Sequence, residues 1–179
     1  MNIDSIRERL PDTAKDIRLN LGNVSRSEHL SERQLWGTLV ATALAVRCPE
    51  LAAAIDAEAA EHLSEADLQL AKSVATTMAM NNVYYRFVHL LGKPEYSQLP
   101  ARLRMQALGG PEEGKLDREL WALAVSAVNG CGMCVQAHEA VLAAGGVSSL
   151  QIQDAVRIAA TVSAAATALT SCAASPSTN

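Results

Sequence analysis

Three serine-led helix starts, Ser31-Glu-Arg-Gln34, Ser64-Glu-Ala-Asp67 and Ser148-Ser-Leu-Gln151, constrain the fold of this chain more than any other feature. The serine hydroxyl at such a start accepts from a first-turn N–H, and Gln34 and Gln151 are spaced to reach back to the serine backbone as capping boxes. Apolar residues at helical spacing follow each start. From Ser31 a helix is expected through Trp36, Leu39, Val40 and Ala43 to about Arg47, after which Cys48-Pro49 restarts the chain into an alanine-rich helix ending near Leu63. Ser64 opens the longest helix, about Glu65 to Leu91, closed by Gly92 and Pro94. After a connector from Lys93 to Gly114, with one helical turn expected near Leu103 to Leu108, helices are expected from Leu116 to Val128, from Cys131 to about Ala144, and from Ser148 to about Leu169.

Ahead of these, Ile3, Ile6 and Leu10 mark a short amphipathic helix stopped by Pro11, and Asp12 to Val24 a second. Alanine is the commonest residue, aromatics make up 3% of the chain, and there is almost no β-branched alternation. An all-α fold packed through small side chains is the expectation. At 179 residues it is a single domain over 1–170, with a Ser/Ala/Pro-rich tail at 171–179 expected to be disordered. The opening ten residues are charged and amphipathic rather than a secretory signal. The longest apolar run, Ile158 to Leu169, is too short for a bilayer. Four cysteines are too few for a secreted disulfide scaffold, so a cytoplasmic protein is expected. A net charge of −4 with interspersed signs leaves no footprint for nucleic acid or an anionic membrane.

The starts also repeat. Arg33-Gln-Leu-Trp36 aligns with Arg118-Glu-Leu-Trp121, and the helix from Ser64 resembles that from Ser148, Leu68, Ala71, Val74 and Ala75 falling on Ile152, Ala155, Ile158 and Ala159. Two helix–helix–helix halves, about 31–92 and 115–170, are expected to cover each other's apolar faces. In this alignment Glu119, Cys131, Cys134 and His138 fall on Gln34, Val46, Pro49 and Ala53. The framework is kept while the ionisable set is present in one copy only.

Those residues form the candidate site. Asn129-Gly130 is a turn signal, and a helix starting near Cys131 puts Cys131, Cys134 and His138 along one stripe. A first helical turn presents unpaired N–H groups and the positive end of the macrodipole, which favour thiolate over thiol. Three-residue spacing also lets two sulfurs close a disulfide, so the pair reads as a redox dithiol. If the flanking helices form an antiparallel hairpin, the Glu119 carboxylate approaches the His138 imidazole, giving a carboxylate–imidazole–thiol relay. His29 and His62 read as solvated, His89 as a partly packed surface residue, and Cys48 and Cys172 as inert thiols. Met78 and Met80 read as core fillers, and Arg102 and Arg104 as a solvated face.

The run Glu119-Leu-Trp-Ala-Leu-Ala-Val-Ser-Ala-Val-Asn-Gly-Cys131-Gly-Met-Cys134-Val-Gln-Ala-His138-Glu resembles the signature of the alkyl hydroperoxidase D family, within the carboxymuconolactone-decarboxylase-like superfamily. Ala14-Lys-Asp-Ile-Arg-Leu-Asn-Leu, Gln34-Leu-Trp-Gly-Thr-Leu and Met80-Asn-Asn-Val-Tyr-Tyr-Arg carry the resemblance into the N-terminal half. It implies an all-helical homotrimer acting as a thiol peroxidase. Cys134 would attack the peroxide and become a sulfenic acid. Cys131 would be proton donor and resolving thiol, forming a Cys131–Cys134 disulfide, with Glu119 and His138 as proton relay. The implied electron donor is dihydrolipoamide, as a dihydrolipoyl group on a 2-oxoacid dehydrogenase component. The implied partner is the peroxiredoxin alkyl hydroperoxide reductase C, which the protein would re-reduce. No bound cofactor or metal is implied. Members of the family carry His immediately before the second Cys, where this chain has Met133, so lower activity or greater reliance on His138 is expected.

Two rival readings use the same residues. Cys131, Cys134 and His138 could ligate zinc, although a structural zinc site wants a fourth ligand that the sequence does not supply nearby. Alternatively the chain is a non-catalytic oligomeric helical module with an incidental dithiol. A decarboxylase role, known from the wider superfamily, is poorly served by a redox Cys-x-x-Cys.

Overall fold

The structure is a computed structural model; it describes residues 2–173, with side chains to Ser171. Among the described residues there are helices and connecting turns and no strand. The helices are α1 (Ile3–Arg9), α2 (Lys15–Val24, preceded by a 3-10 turn at Asp12–Ala14), α3 (Glu32–Ala45), α4 (Pro49–Ala59), α5 (Glu65–Leu91), α6 (Pro94–Ser97), α7 (Lys115–Val128), α8 (Gly132–Ala144) and α9 (Ser149–Ala173). Helix α9 continues to Ala173, so residues 171–173, expected in the disordered tail, are helical; the Cys172 thiol and the rest of the expected tail lie outside the described residues.

The predicted caps form. Ser31 accepts from the Gln34 N–H at 3.2 Å while the Gln34 amide oxygen accepts from the Ser31 N–H at 3.1 Å. Ser148 and Gln151 exchange the same pair of bonds at 3.3 and 2.9 Å. Ser64 accepts from the Asp67 N–H at 3.1 Å, and Gly92 ends α5 with φ +62°, a conformation open to glycine without strain. The connector differs from expectation: its helical turn is α6, with Pro94 at the first position, and residues 103–108 are not helical. Proline is pre-organised for a helix start and lacks the N–H that would be left unpaired there. The alanine-rich α4 ends at Ala59 rather than Leu63.

The two halves are α3–α4–α5 and α7–α8–α9, and they cross-pack. Helices α3 and α7 lie against each other, while α5 of the first half covers α7 and α9 of the second covers α3. The core runs through this crossing, with Leu39, Met78, Leu120, Trp121, Leu123, Ile158 and Val162 at 2% exposure or less. A Cβ built on Gly37 of α3 would overlap the Trp121 indole of α7, so only glycine lets the halves approach this closely. Arg33 ties the seam at its rim, pairing with Asp67 at 2.7 Å and with Asp117, its guanidinium 5.3 Å from the centre of the Trp121 ring. Hydrogen bonding to Arg33 holds the Asp67 carboxyl below its usual value, and the same bond raises Arg33.

The turns between the first two helices of each half share one shape. Val46 and Asn129 are the C-caps of α3 and α7, Arg47 and Gly130 are left-handed with φ 57° and 67°, and Cys48 and Cys131 are the N-caps of α4 and α8. This register is two residues off the sequence alignment built on the two tryptophans. It pairs Cys131 with Cys48, so one sulfur does recur, while Cys134 and His138 correspond to Leu51 and Ile55, both fully buried.

Candidate active site

The Asn129-Gly130 turn folds α7 and α8 into the expected hairpin. Gly130 takes a positive φ that costs a residue with a Cβ more than glycine. The Cys131 N–H donates to the Ser126 carbonyl at 3.0 Å, and the Cys131 carbonyl accepts from Val135 as the first bond of α8. No side chain caps this helix start, which leaves the first-turn amides of Gly132, Met133 and Cys134 for an anion at the sulfurs.

Cys131 and Cys134 are joined as a disulfide with their Cα atoms 5.3 Å apart, inside the usual span of such bridges. Cys131 is fully buried and Cys134 is 6% exposed. One turn further along α8, the His138 Nδ1–H donates to Glu119 Oε2 of α7 at 2.6 Å, with the two side chains 13% and 15% exposed. A carboxylate holding Nδ1–H fixes the imidazole tautomer and leaves Nε2 as the basic nitrogen. The hairpin therefore sets the four predicted residues along the first two turns of α8 and the face of α7 beside them. The dithiol and the carboxylate–imidazole pair are linked by the one-turn spacing of Cys134 and His138.

The other candidates are dispersed. Cys48 is a free thiol at the N-cap of α4. His62 is exposed as expected, with its ring stacked on the buried Trp36 at 4.2 Å between centroids and its Nδ1 paired with Glu32 at 2.7 Å. His89 is exposed on α5, and Met78 is buried in the core as expected. Arg102 and Arg104 fall in the non-helical connector. Among the described residues no three His, Cys, Asp or Glu side chains are grouped to hold a metal ion, and the donor set of the zinc reading is divided between a disulfide and an ion pair.

Sequence reasoning missed a second layer. Asn82 and Arg86 of α5 and Ser126 and Asn129 of α7 form a polar network around the turn that carries Cys131. Its signal was in the chain: Asn81-Asn82 interrupts the buried face of α5, where each neighbouring inward position is apolar.

Residues 94–175 match the Carboxymuconolactone decarboxylase family. Over nearly the full length the chain is similar to curated proteins called alkyl hydroperoxide reductase AhpD. It is 56% identical to the one from Methylocella silvestris, covering 94% of this chain and 95% of that protein. It is 54% identical to one from Rhodopseudomonas palustris, covering 98% and 97%, and 53% identical to one from Bradyrhizobium sp., covering 94% and 93%. With a buried Cys-x-x-Cys at the mouth of α8 and the carboxylate–imidazole pair one turn away, the chain belongs to the AhpD family.

Proposed function

We propose that the protein is an antioxidant thiol peroxidase that reduces organic hydroperoxides through the Cys131/Cys134 dithiol. The observation that carries the reading is the placement of a closable sulfur pair on the helix whose next turn holds an imidazole oriented by a carboxylate. Similarity to proteins named alkyl hydroperoxide reductase AhpD supports the choice of substrate.

The cycle begins from the reduced pair. His138, fixed through Nδ1 by Glu119, takes the Cys134 proton, and the first-turn amides of α8 stabilise the thiolate. Cys134 Sγ attacks a peroxide oxygen. The O–O bond breaks, the alkoxide leaves as alcohol after taking a proton, and Cys134 becomes a sulfenic acid. Cys131, the buried N-cap, supplies that proton and then attacks the Cys134 sulfur. The S–S bond forms, the S–O bond breaks, and the oxygen departs as water. A Cys131–Cys134 bridge, as in this structure, is what this step would produce. An external dithiol reopens the bridge by two thiol–disulfide exchanges and is itself oxidised to a cyclic disulfide. A dihydrolipoyl group on a 2-oxoacid dehydrogenase component fits that role, with its two thiols joined by a short tether. The same exchange chemistry makes the oxidised peroxiredoxin alkyl hydroperoxide reductase C a partner for the reduced protein. The chemistry suits the reducing cytoplasm, where the pair cycles rather than standing as a fixed bridge.

Met133 occupies the second position of α8 and is half-buried; a thioether takes no proton, so proton removal falls to His138. Helix α5 presents Val83, Phe87, Leu90 and Leu91 outward at 37–76% exposure, an apolar surface that assembly as a homotrimer would cover. The testing experiment is dihydrolipoamide-dependent turnover of an organic hydroperoxide, with monothiol donors compared side by side and the oligomeric state measured by light scattering. The expected result is saturable turnover with the dithiol by a trimer. Stoichiometric zinc in reduced protein with no turnover would favour the metal-binding reading.

A further inference from the structure

The turn that presents Cys131 is held from outside its own hairpin. Asn82, 1% exposed on α5, donates from Nδ2 to Ser126 Oγ at 3.0 Å and accepts at Oδ1 from Asn129 Nδ2 at 3.0 Å. One turn further along α5, Arg86 donates to the Asn129 carbonyl at 2.6 Å. The Ser126 hydroxyl donates to the Ala122 carbonyl at 2.7 Å, and the Ser126 carbonyl accepts from the Cys131 N–H. Both amide ends of a buried asparagine are thus used on one turn, and the next residue in the chain is the sulfur-bearing one.

The first half supplies an internal control. Counting from the serine caps of α5 and α9, Asn82 corresponds to Ala166 and Arg86 to Thr170. Counting from the shared turn, Asn129 corresponds to Val46 and Ser126 to Ala43. Ala166, Thr170 and Val46 line one shallow cleft, so the same elements meet there too. Thr170 bonds back to Ala166 of its own helix, and among the described residues no α9 side chain bonds the Val46-Arg47-Cys48 turn. Backbone shape is conserved between the halves; the polar pins occur only where the turn leads into the Cys-x-x-Cys. Packing alone is met by alanine and valine.

We propose that Asn82 and Arg86 are positioning residues for Cys131, fixing the Asn129-Gly130 turn so that the resolving sulfur stays against Cys134. This rests on the thiol peroxidase reading for its kinetic consequence. Gly130 has the freedom to relax once the turn is unpinned. Cys131 then reaches the Cys134 sulfenic acid less often. The competing reaction gains: the sulfenate attacks a second hydroperoxide, the O–O bond breaks, and Cys134 becomes a sulfinic acid with release of a second alcohol. Attack on the first hydroperoxide is made by Cys134 within α8, and the protonated His138 can return the Cys134 proton to the leaving alkoxide when Cys131 is displaced, so this step depends on the turn less than bridge closure does.

The test mixes reduced wild type, Asn82→Ala, Asn82→Asp and Arg86→Ala with excess cumene hydroperoxide and follows disulfide and sulfinic acid by quenched intact mass. Consumption of the first equivalent should slow by only a few-fold, through weaker proton donation from Cys131, while disulfide formation in Asn82→Ala slows roughly ten-fold, as expected when an oriented group is loosened. Sulfinic acid should accumulate correspondingly. Arg86→Ala, a change at an exposed side chain, should shift in the same direction by less. Asn82→Asp, which keeps the acceptor for Asn129, should fall between Asn82→Ala and wild type. A second readout needs no peroxide: in a dithiothreitol redox buffer, Asn82→Ala should favour the open dithiol by roughly ten-fold relative to wild type. Wild-type partition and wild-type redox equilibrium in folded Asn82→Ala and Arg86→Ala would overturn the proposal. A wild type that loses no thiols to hydroperoxide would instead overturn the peroxidase reading, and the redox-buffer comparison would still decide the role of the pins.

Discussion

The two halves of this protein are built on one helical plan and differ in what is attached to its central turn. Both run helix, left-handed turn, N-cap cysteine, helix, serine cap and long helix. In the first half, Arg47 makes the left-handed step, Pro49 opens the next helix, and Leu51 and Ile55 of that helix are fully buried. In the second, Gly130 makes the step and Cys134 and His138 stand in the corresponding places. A hydrocarbon pair locks a helix to the core by burial. Exchanging it for a thiol and an imidazole gives up apolar contact in return for groups that move protons and electrons. The second half recovers order through hydrogen bonds, with Glu119 on His138 and the Asn82 network on the turn. One sulfur at an N-cap is therefore not a signal of chemistry; a second sulfur and a base on the same helix are.

Substitutions on matched positions sharpen that contrast. The largest expected effect is Cys134→Ser, which should lower hydroperoxide turnover to background, while Cys48→Ser, at the matching turn of the other half, should leave it within about two-fold, both read in a coupled dithiol assay. Glu119→Gln and His138→Gln should each lower kcat/KM by roughly 10²-fold, as expected for loss of a proton-transfer group. Matched changes in the Glu32–His62 pair, whose imidazole stacks on Trp36 in the first half, should leave kinetics unaltered; a comparable loss there would break the distinction between the halves.

At the seam the effect is on stability. Gly37→Ala should cost about 1–3 kcal/mol in denaturant unfolding, because the added methyl meets the Trp121 indole. The smallest effect expected is at Asp67. Its carboxyl is held below 3.8 by Arg33, so the pair contributes above that pH and the contribution is lost as pH falls through the lowered value. Asp67→Asn should destabilise by less than about 1 kcal/mol at neutral pH, with the difference from wild type closing in acid.

Much of this was legible in the chain because helix starts and stops are local. The serine caps, Gly92 and the Asn129-Gly130 turn each act within a few residues, and the boundaries they set are those observed. Glu119 and His138 could be brought together from hairpin geometry alone, since a short turn fixes which positions oppose. Longer-range features were not legible. The exact register between halves depends on turn geometry, and the two tryptophans suggested an alignment two residues away from the one set by the turns. The Asn82 pins join helices 44 and 47 residues apart in sequence, and no local pattern states which residues a buried asparagine will meet. The connector misled for a related reason: Leu103 to Leu108 has helical spacing, yet a proline start at Pro94 took the single turn.

The most direct measurement is a single turnover. Reduced protein is mixed with one equivalent of an organic hydroperoxide, free thiols are titrated, and the bridge is located by peptide mapping. Loss of two thiols per chain, a Cys131–Cys134 disulfide, and recovery of both thiols on adding dihydrolipoamide are the predicted result. An unchanged thiol titre, or equal peroxide consumption by Cys134→Ser, would contradict it.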